Sequence, residues 1–410
     1  MCWRIGCMFH PIAGSWRPSG QDSGYTKLLV IGASGMTGTA LLDAAVACVW
    51  FRVIAFTRKP ENLSFNKHVE KGDVSLVKGD MLELNSLYKA MEGVDVVFFT
   101  TSYWDTRDVQ CEIRQGANVV EAAVKSKIEH LLYVGTPYSD NSAEVKCRYL
   151  MGREKVQELV IQSGVRWTII QMGFYYENFL SVFKPHLIEP STYALALPLG
   201  NVALNCGSVL DFAHCIANII LHPVEHIGEI VKLSTGYHTV TQLVAWLDRQ
   251  FPKLTILDPK ISIEEYSQIT YEGSEEITAL FMFLQSFPNT TKWDQKVAFD
   301  LCPSARSFTS WLEENEKALM TVLTEATDLK PEASSEKIVG EDRLSIPTEF
   351  SWKRDSFEQI LDRKNRLITK TCFRTIADDK NFERRAALCD EVDVQSEFLS
   401  TWNLLLELDG

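Results

Sequence analysis

The run GASGMTG, Gly32 to Gly38, follows directly on the apolar stretch KLLVIG and opens the helical pattern MTGTALLDAAVACV. Strand, glycine-rich turn and helix in that order leave few folds open. Gly32 suits a tight turn, Gly35 lets the backbone come close to a ligand, and Gly38 lets the helix pack hard against the strand. The start of the helix then presents unpaired N–H groups and the positive end of its dipole, an arrangement that favours phosphate. A glycine triplet alone carries little weight; between a clear strand and a clear helix it marks a dinucleotide site. The expected contacts there are Gly32, Ala33, Ser34, Gly35, Met36, Thr37 and Gly38.

The rest of the first half keeps the same rhythm. RVIAFT, VSLVKGD, VDVVFFTTS, HLLYVG and RWTIIQM read as strands, and SLYKAMEG, Gln110–Lys125 and REKVQELVIQSG as helices. Short apolar runs alternating with helical patterns specify parallel strands with crossover helices on both faces. The predicted fold class is therefore α/β, a Rossmann-type doubly wound parallel sheet over about residues 25–182. From residue 183 to about 327 the alternation loosens into a smaller α/β lobe. There VKLST reads as a strand, and YHTVTQLVAWLDRQF, ITALFMFLQSF and TSWLEENEKALM read as helical. Residues 328–352 are polar, with Pro and Ser, and read as a linker. Residues 353–410 keep helical spacing at Phe357, Ile360, Leu361, Leu367 and Ile368, which predicts a helical extension. Residues 1–24 read as a disordered tail.

The end of the second strand selects the nucleotide. An acid there binds the adenosine ribose hydroxyls and favours NAD. FTRKP instead places Arg58 and Lys59 at that point, and a guanidinium can clasp the extra phosphate. The expected cofactor is NADP(H). Asp80 and Met81, in KGDM after the third strand, and Thr101, Ser102 and Tyr103, ending the fourth, border the crevice at the strands' carboxyl ends. An ordinary turn or cap role is the alternative for each. A formal charge of −13 argues against a direct nucleic-acid or membrane-surface role. Ten cysteines without metal-ligand spacing suit free thiols in a reducing compartment, and no metal site is expected.

Together GASGMTG, TRKP, GDM, TSYWD, the helix carrying Arg114-Gln115-Gly116, and FYYENFL resemble the NmrA-like family, an atypical branch of the short-chain dehydrogenase/reductases. The likeness covers about residues 25–325. It implies an NADPH-binding fold whose members often regulate other proteins rather than turn over substrate. It extends the cofactor contacts to Arg114, Arg153, Tyr175, Tyr176, Glu177 and Asn178. It also gives Tyr149 the place of a catalytic tyrosine.

Two departures weigh against catalysis. Working reductases of this superfamily pair the tyrosine with a lysine four residues on. Here that residue is Arg153, on the same helix face as Tyr149, and Lys155 points elsewhere. An arginine supplies charge but does not relay protons. Val134 also stands where catalytic relatives carry a serine, with Thr136 two residues on. The expectation is an NADPH-binding redox sensor that acts through protein partners, engaged by the smaller lobe or the C-terminal extension, with little or no turnover. The alternative is an NADPH-dependent, isoflavone-reductase-like enzyme acting on a carbonyl or alkene. A homodimer stays open. Cytoplasm follows from cysteine usage, and a nuclear share only from the family likeness.

Overall fold

Apolar side chains on both sides of each central strand force the sheet to be covered twice. The computed structural model describes residues 24–60, 66–137, 147–269, 271, 273–286 and 292–325. The chain runs β1 (Thr26–Ile31), α1 (Met36–Val46), β2 (Phe51–Thr57), α2 (Asn66–Glu70), β3 (Val74–Lys78), α3 (Leu84–Ala90), β4 (Val96–Phe99), α4 (Val109–Lys125), β5 (His130–Val134), α5 (Arg148–Gln162) and β6 (Trp167–Met172). Leu28 and Val30 of β1 pack into a cluster with α1 on one face. Leu29 and Ile31, pointing the other way, join α3, α4 and α5. Period-two alternation with no solvated side is the signature of a parallel sheet sandwiched by helices.

The second half contains β7 (Phe174–Tyr175), β8 (His186–Glu189), β9 (Thr192–Ala194), β10 (Ala203–Gly207), α6 (Val209–Leu221), β11 (Glu229–Leu233), β12 (Gly236–Thr239), α7 (Val240–Gln250), β13 (Thr255–Leu257), α8 (Ile263–Ser267), α9 (Ser274–Ser286), α10 (Gln295–Leu301) and α11 (Phe308–Glu325). The main sheet has the order β11-β6-β5-β4-β1-β2-β3, and every neighbouring pair is parallel. Two three-stranded sheets, β12-β10-β7 and β13-β9-β8, build the smaller lobe.

A simple break near residue 182 does not describe this chain. After β10 it returns to the main sheet: α6 packs on α1, and β11 adds a seventh strand beside β6. Helix α6 is not among the expected elements; Leu210, His214 and Asn218 form its one exposed or half-exposed stripe, and Cys215, Ile216, Ile219 and Ile220 are buried on the other faces. The helix expected over YHTVTQLVAWLDRQF begins only at Val240. Thr239 and Gln242 form a reciprocal capping box, and Gly236 to Thr239 pair with β10 instead. The six described cysteines are free thiols. Among the described residues no helix is long and apolar enough to cross a membrane. The N-terminal tail to residue 23, the linker at 328–352 and the extension at 353–410 lie outside the described residues.

Helix α4 approaches α5 closely at Gly116, where an added Cβ would strike both methyl groups of Val156. Gly116→Ala is expected to destabilise the chain by about 1–3 kcal/mol through overpacking. Urea unfolding measures the loss, and Val156→Ala in the same chain should recover part of it.

Candidate functional site

The turn after β1 is built by what its residues lack. Gly32 adopts φ 84°, and a Cβ there would lie 2.7 Å from the Thr100 methyl at the end of β4. The Gly35 N–H closes the turn on the Gly32 carbonyl at 3.0 Å. A Cβ on Gly38 would land on that same carbonyl, so only glycine lets α1 start against the turn. Gly35 is the residue preceding the helix and supplies no side-chain cap. The first N–H groups of α1 are thus left for an acceptor, at the positive end of the helix dipole. Ser34 is exposed beside them; Ala33, Thr37 and Gly38 are buried, and Met36 is half-buried. The turn lies at the β1/β4 boundary, where the strand order reverses and open α/β sheets form their ligand crevice. A diphosphate fits this cradle.

At the end of β2, Arg58 is half exposed and pairs with Asp105 from the β4–α4 loop. Lys59 is exposed beside it. One Asp80 carboxylate oxygen accepts from the Leu82 N–H at 2.9 Å, a turn role, and the Met81 carbonyl accepts from the Asn118 amide. The Ser102 N–H donates to Gln115 Oε1 at 3.1 Å. Arg114 sits on the exposed face of α4.

Tyr149, in the first turn of α5, lies beside the loop that follows β4. Its ring meets those of Tyr103, 5.7 Å away edge-on, and Trp104, at 5.3 Å. The Arg153 guanidinium lies 5.0 Å from the Tyr149 ring centre. That guanidinium is turned inward. Its Nη2 donates to the Thr101 carbonyl at 3.5 Å, and its Nε is 3.6 Å from Glu112 Oε1. Glu112 is fully buried and accepts from the Thr101 hydroxyl at 2.7 Å; that hydroxyl is also 3.2 Å from Tyr133 Oη. A Cβ at position 152 would strike the second Glu112 oxygen, so Gly152 makes room for the carboxylate. Burial pushes the Glu112 carboxyl up, while Arg153 and the Thr101 bond oppose that shift. Lys155 pairs with Glu158 on the outer face of α5.

Val134 ends β5 as a buried side chain with no hydroxyl to offer. Thr136, also buried, is pinned by its backbone: its N–H donates to Gln157 and its carbonyl accepts from Gln171. Tyr175 reaches back across the strand ends to the first turn of α1, its hydroxyl 3.2 Å from Thr37 Oγ1. Burial pushes its pKa up to about 12.

The other expected contacts have partners within the protein. Tyr176 is fully buried against Phe308 and Trp311. The Glu177 carboxylate accepts from the Ser208 hydroxyl at 2.6 Å, the Val209 N–H at 2.9 Å and the Trp311 indole at 3.1 Å. It caps α6 and ties it to α11. The Asn178 carbonyl accepts from the N–H groups of Ser181 and Phe183. Thr101 and Tyr103 are likewise committed: Thr101 to Glu112, and Tyr103, with no exposed surface, to Glu276 Oε1 at 3.4 Å. Sequence reasoning missed Glu112 and Asp105. Glu112 was traceable, because it shares the spacing of the buried positions Gly116, Val119 and Ala123 on α4.

A model of the NmrA-like family matches residues 25–313. The chain belongs to the NmrA-like family. Its relatives include the NmrA-like oxidoreductase flvB of Aspergillus flavus, 27% identical over 217 residues, which are 52% of this chain and 67% of that one. Quinone oxidoreductase 2 of Escherichia coli is 23% identical over 251 residues, covering 61% and 78%. Among solved structures, NmrA, a negative transcriptional regulator, in complex with NADP superposes with a TM-score of 0.61 at 19% identity, covering 75% of this chain and 99% of that one. NmrA has also been solved with NAD. The NADP(H) complex of Citrobacter sp. triphenylmethane reductase gives 0.59 at 19%, covering 71% and 99%. At such identities the superpositions establish a shared fold, and these neighbours bind NAD or NADP on it. In this NmrA-like chain, as the cap of α6, Glu177 is expected to matter for stability alone. Glu177→Gln should lower unfolding free energy by about 1–3 kcal/mol, since it leaves buried donors poorly matched. NADPH affinity, measured by titration on the same protein, should stay within about twofold.

Proposed function

We propose that this chain binds NADP(H) on the first turn of α1, with Arg58 and Lys59 receiving the adenosine phosphate, and acts as a nucleotide-responsive regulator of protein partners with little or no turnover. One observation carries the second half of that reading. Under Tyr149 the cation is Arg153, and its guanidinium faces inward, 3.5 Å from the Thr101 carbonyl and 3.6 Å from the buried Glu112 carboxylate. An arginine so held stays charged and passes no proton. No hydroxyl at Val134 replaces the missing carbonyl-polarising group. The glycine turn, by contrast, keeps every feature that a diphosphate requires. Bound NADPH would supply a hydride donor, but the residues around it are arranged to hold and not to relay. A ligand that prefers one arrangement of the turn and its neighbouring loops shifts the population toward it by its differential affinity. A partner docking on the smaller lobe or the C-terminal extension would read that shift.

A second reading is kept because relatives are named as oxidoreductases. It makes the chain an NADPH-dependent reductase of a carbonyl or alkene, with Tyr149 as proton donor. Nucleotide fluorescence followed by a panel of carbonyl, quinone and alkene substrates separates the two. Binding of NADPH without oxidation is expected; turnover that disappears in Tyr149→Phe would establish the enzyme instead. Arg58→Ala should weaken NADPH by about tenfold or more, a charge-assisted phosphate contact, and NADH by less than about twofold. Equal losses for both nucleotides contradict the clasp.

A further inference from the structure

The partner of Arg58 is the feature that the proposed clasp leaves unexplained. The guanidinium meant for a phosphate is already paired with the Asp105 carboxylate, 47 residues away in the chain. Asp105 is not a side chain drifting on a loose loop. Tyr103 is buried, bonded to Glu276 of α9 and packed edge-on to Tyr149. The N–H groups of Thr106 and Arg107 both return to the Tyr103 carbonyl, at 3.3 and 2.7 Å, and Arg107 sits at φ 51°. Asp108 then caps α4 by accepting from the Gln110 N–H at 2.8 Å. The turn from Tyr103 to Asp108 is thus fixed at both ends, and it presents Asp105 to Arg58.

We propose that Asp105 is a specificity-determining residue: an internal counter-ion that occupies Arg58 and must yield it when the 2′-phosphate of NADP(H) arrives. The proposal rests on the NADP(H) reading above and deepens it. A phosphomonoester carries roughly −1.5 to −2 at neutral pH. To be clasped it must take the guanidinium from Asp105, and any Asp105 carboxylate left close by repels it. NAD(H) carries only a hydroxyl at that position and does not compete for the guanidinium. Asp105 therefore lowers affinity for NADP(H) selectively and narrows the discrimination that Arg58 creates. The same exchange removes the tie between the Tyr103–Asp108 turn and β2 when the phosphorylated nucleotide binds, and leaves the turn's own bonds to Tyr103, Glu276 and α4 in place.

The test is a double-mutant cycle on the full-length chain, with NADPH and NADH dissociation constants measured for the parent, Asp105→Asn, Arg58→Ala and the double variant. Asp105→Asn keeps the side chain's shape and removes its charge. It should tighten NADPH about three- to fivefold, the scale of a partly exposed ion pair, and change NADH far less. The gain should shrink when Arg58 is already alanine, leaving only the part that comes from removing direct carboxylate–phosphate repulsion. Unchanged or weakened NADPH binding in Asp105→Asn, or an equal gain for both nucleotides, overturns the proposal while leaving the NADP(H) reading intact. A parent chain that binds neither nucleotide overturns both.

Discussion

The contact between Gly38 and the Gly32 carbonyl is the constraint on which the site depends. It seats the first turn of α1 directly against the loop that leaves β1, so the open N–H groups of the helix lie at the reversal point of the sheet. A side chain at position 38 would push the helix away and spoil the cradle. The helix is held from behind as well: α6, buried almost all round, packs along α1 and is itself capped by Glu177. Glu177, bonded to Ser208, Val209 and Trp311, thus helps fix the layer that supports α1.

The other end of the crevice follows a different logic. A buried carboxylate is costly unless it is paired and hydrogen-bonded. Glu112 meets them on one oxygen, which accepts from the Thr101 hydroxyl and lies 3.6 Å from Arg153 Nε, while its second oxygen, facing Gly152, has no hydrogen-bond partner. This arrangement locks the guanidinium beneath Tyr149. Replacing the usual lysine by arginine is therefore a change in the site's architecture, since the new cation has an interior counter-ion of its own. Charge is retained there, and on the proposed reading proton transfer is given up.

Much of this was legible in the sequence. The glycine run between an apolar strand and a helix fixed the location of the turn, and the unbroken apolar runs specified a sheet covered on both faces. Arg58 stood out by its place after the second strand, and Arg153 and Val134 only against the residues that catalytic relatives carry there. The rest depended on tertiary partners that no local pattern encodes. Glu177 looks like a polar contact next to aromatic residues until Ser208, Val209 and Trp311 converge on it from distant elements. Asp105 looks like a loop acid until β2 brings Arg58 beside it.

The account's central claim is that a dinucleotide diphosphate sits on the first turn of α1. Amide hydrogen exchange resolved at Met36, Thr37 and Gly38, with and without saturating NADPH, tests it most directly. The account predicts that exchange at these amides slows by about tenfold or more, as open N–H groups gain a bound acceptor. Unchanged exchange there, with NADPH shown to be bound, would contradict it.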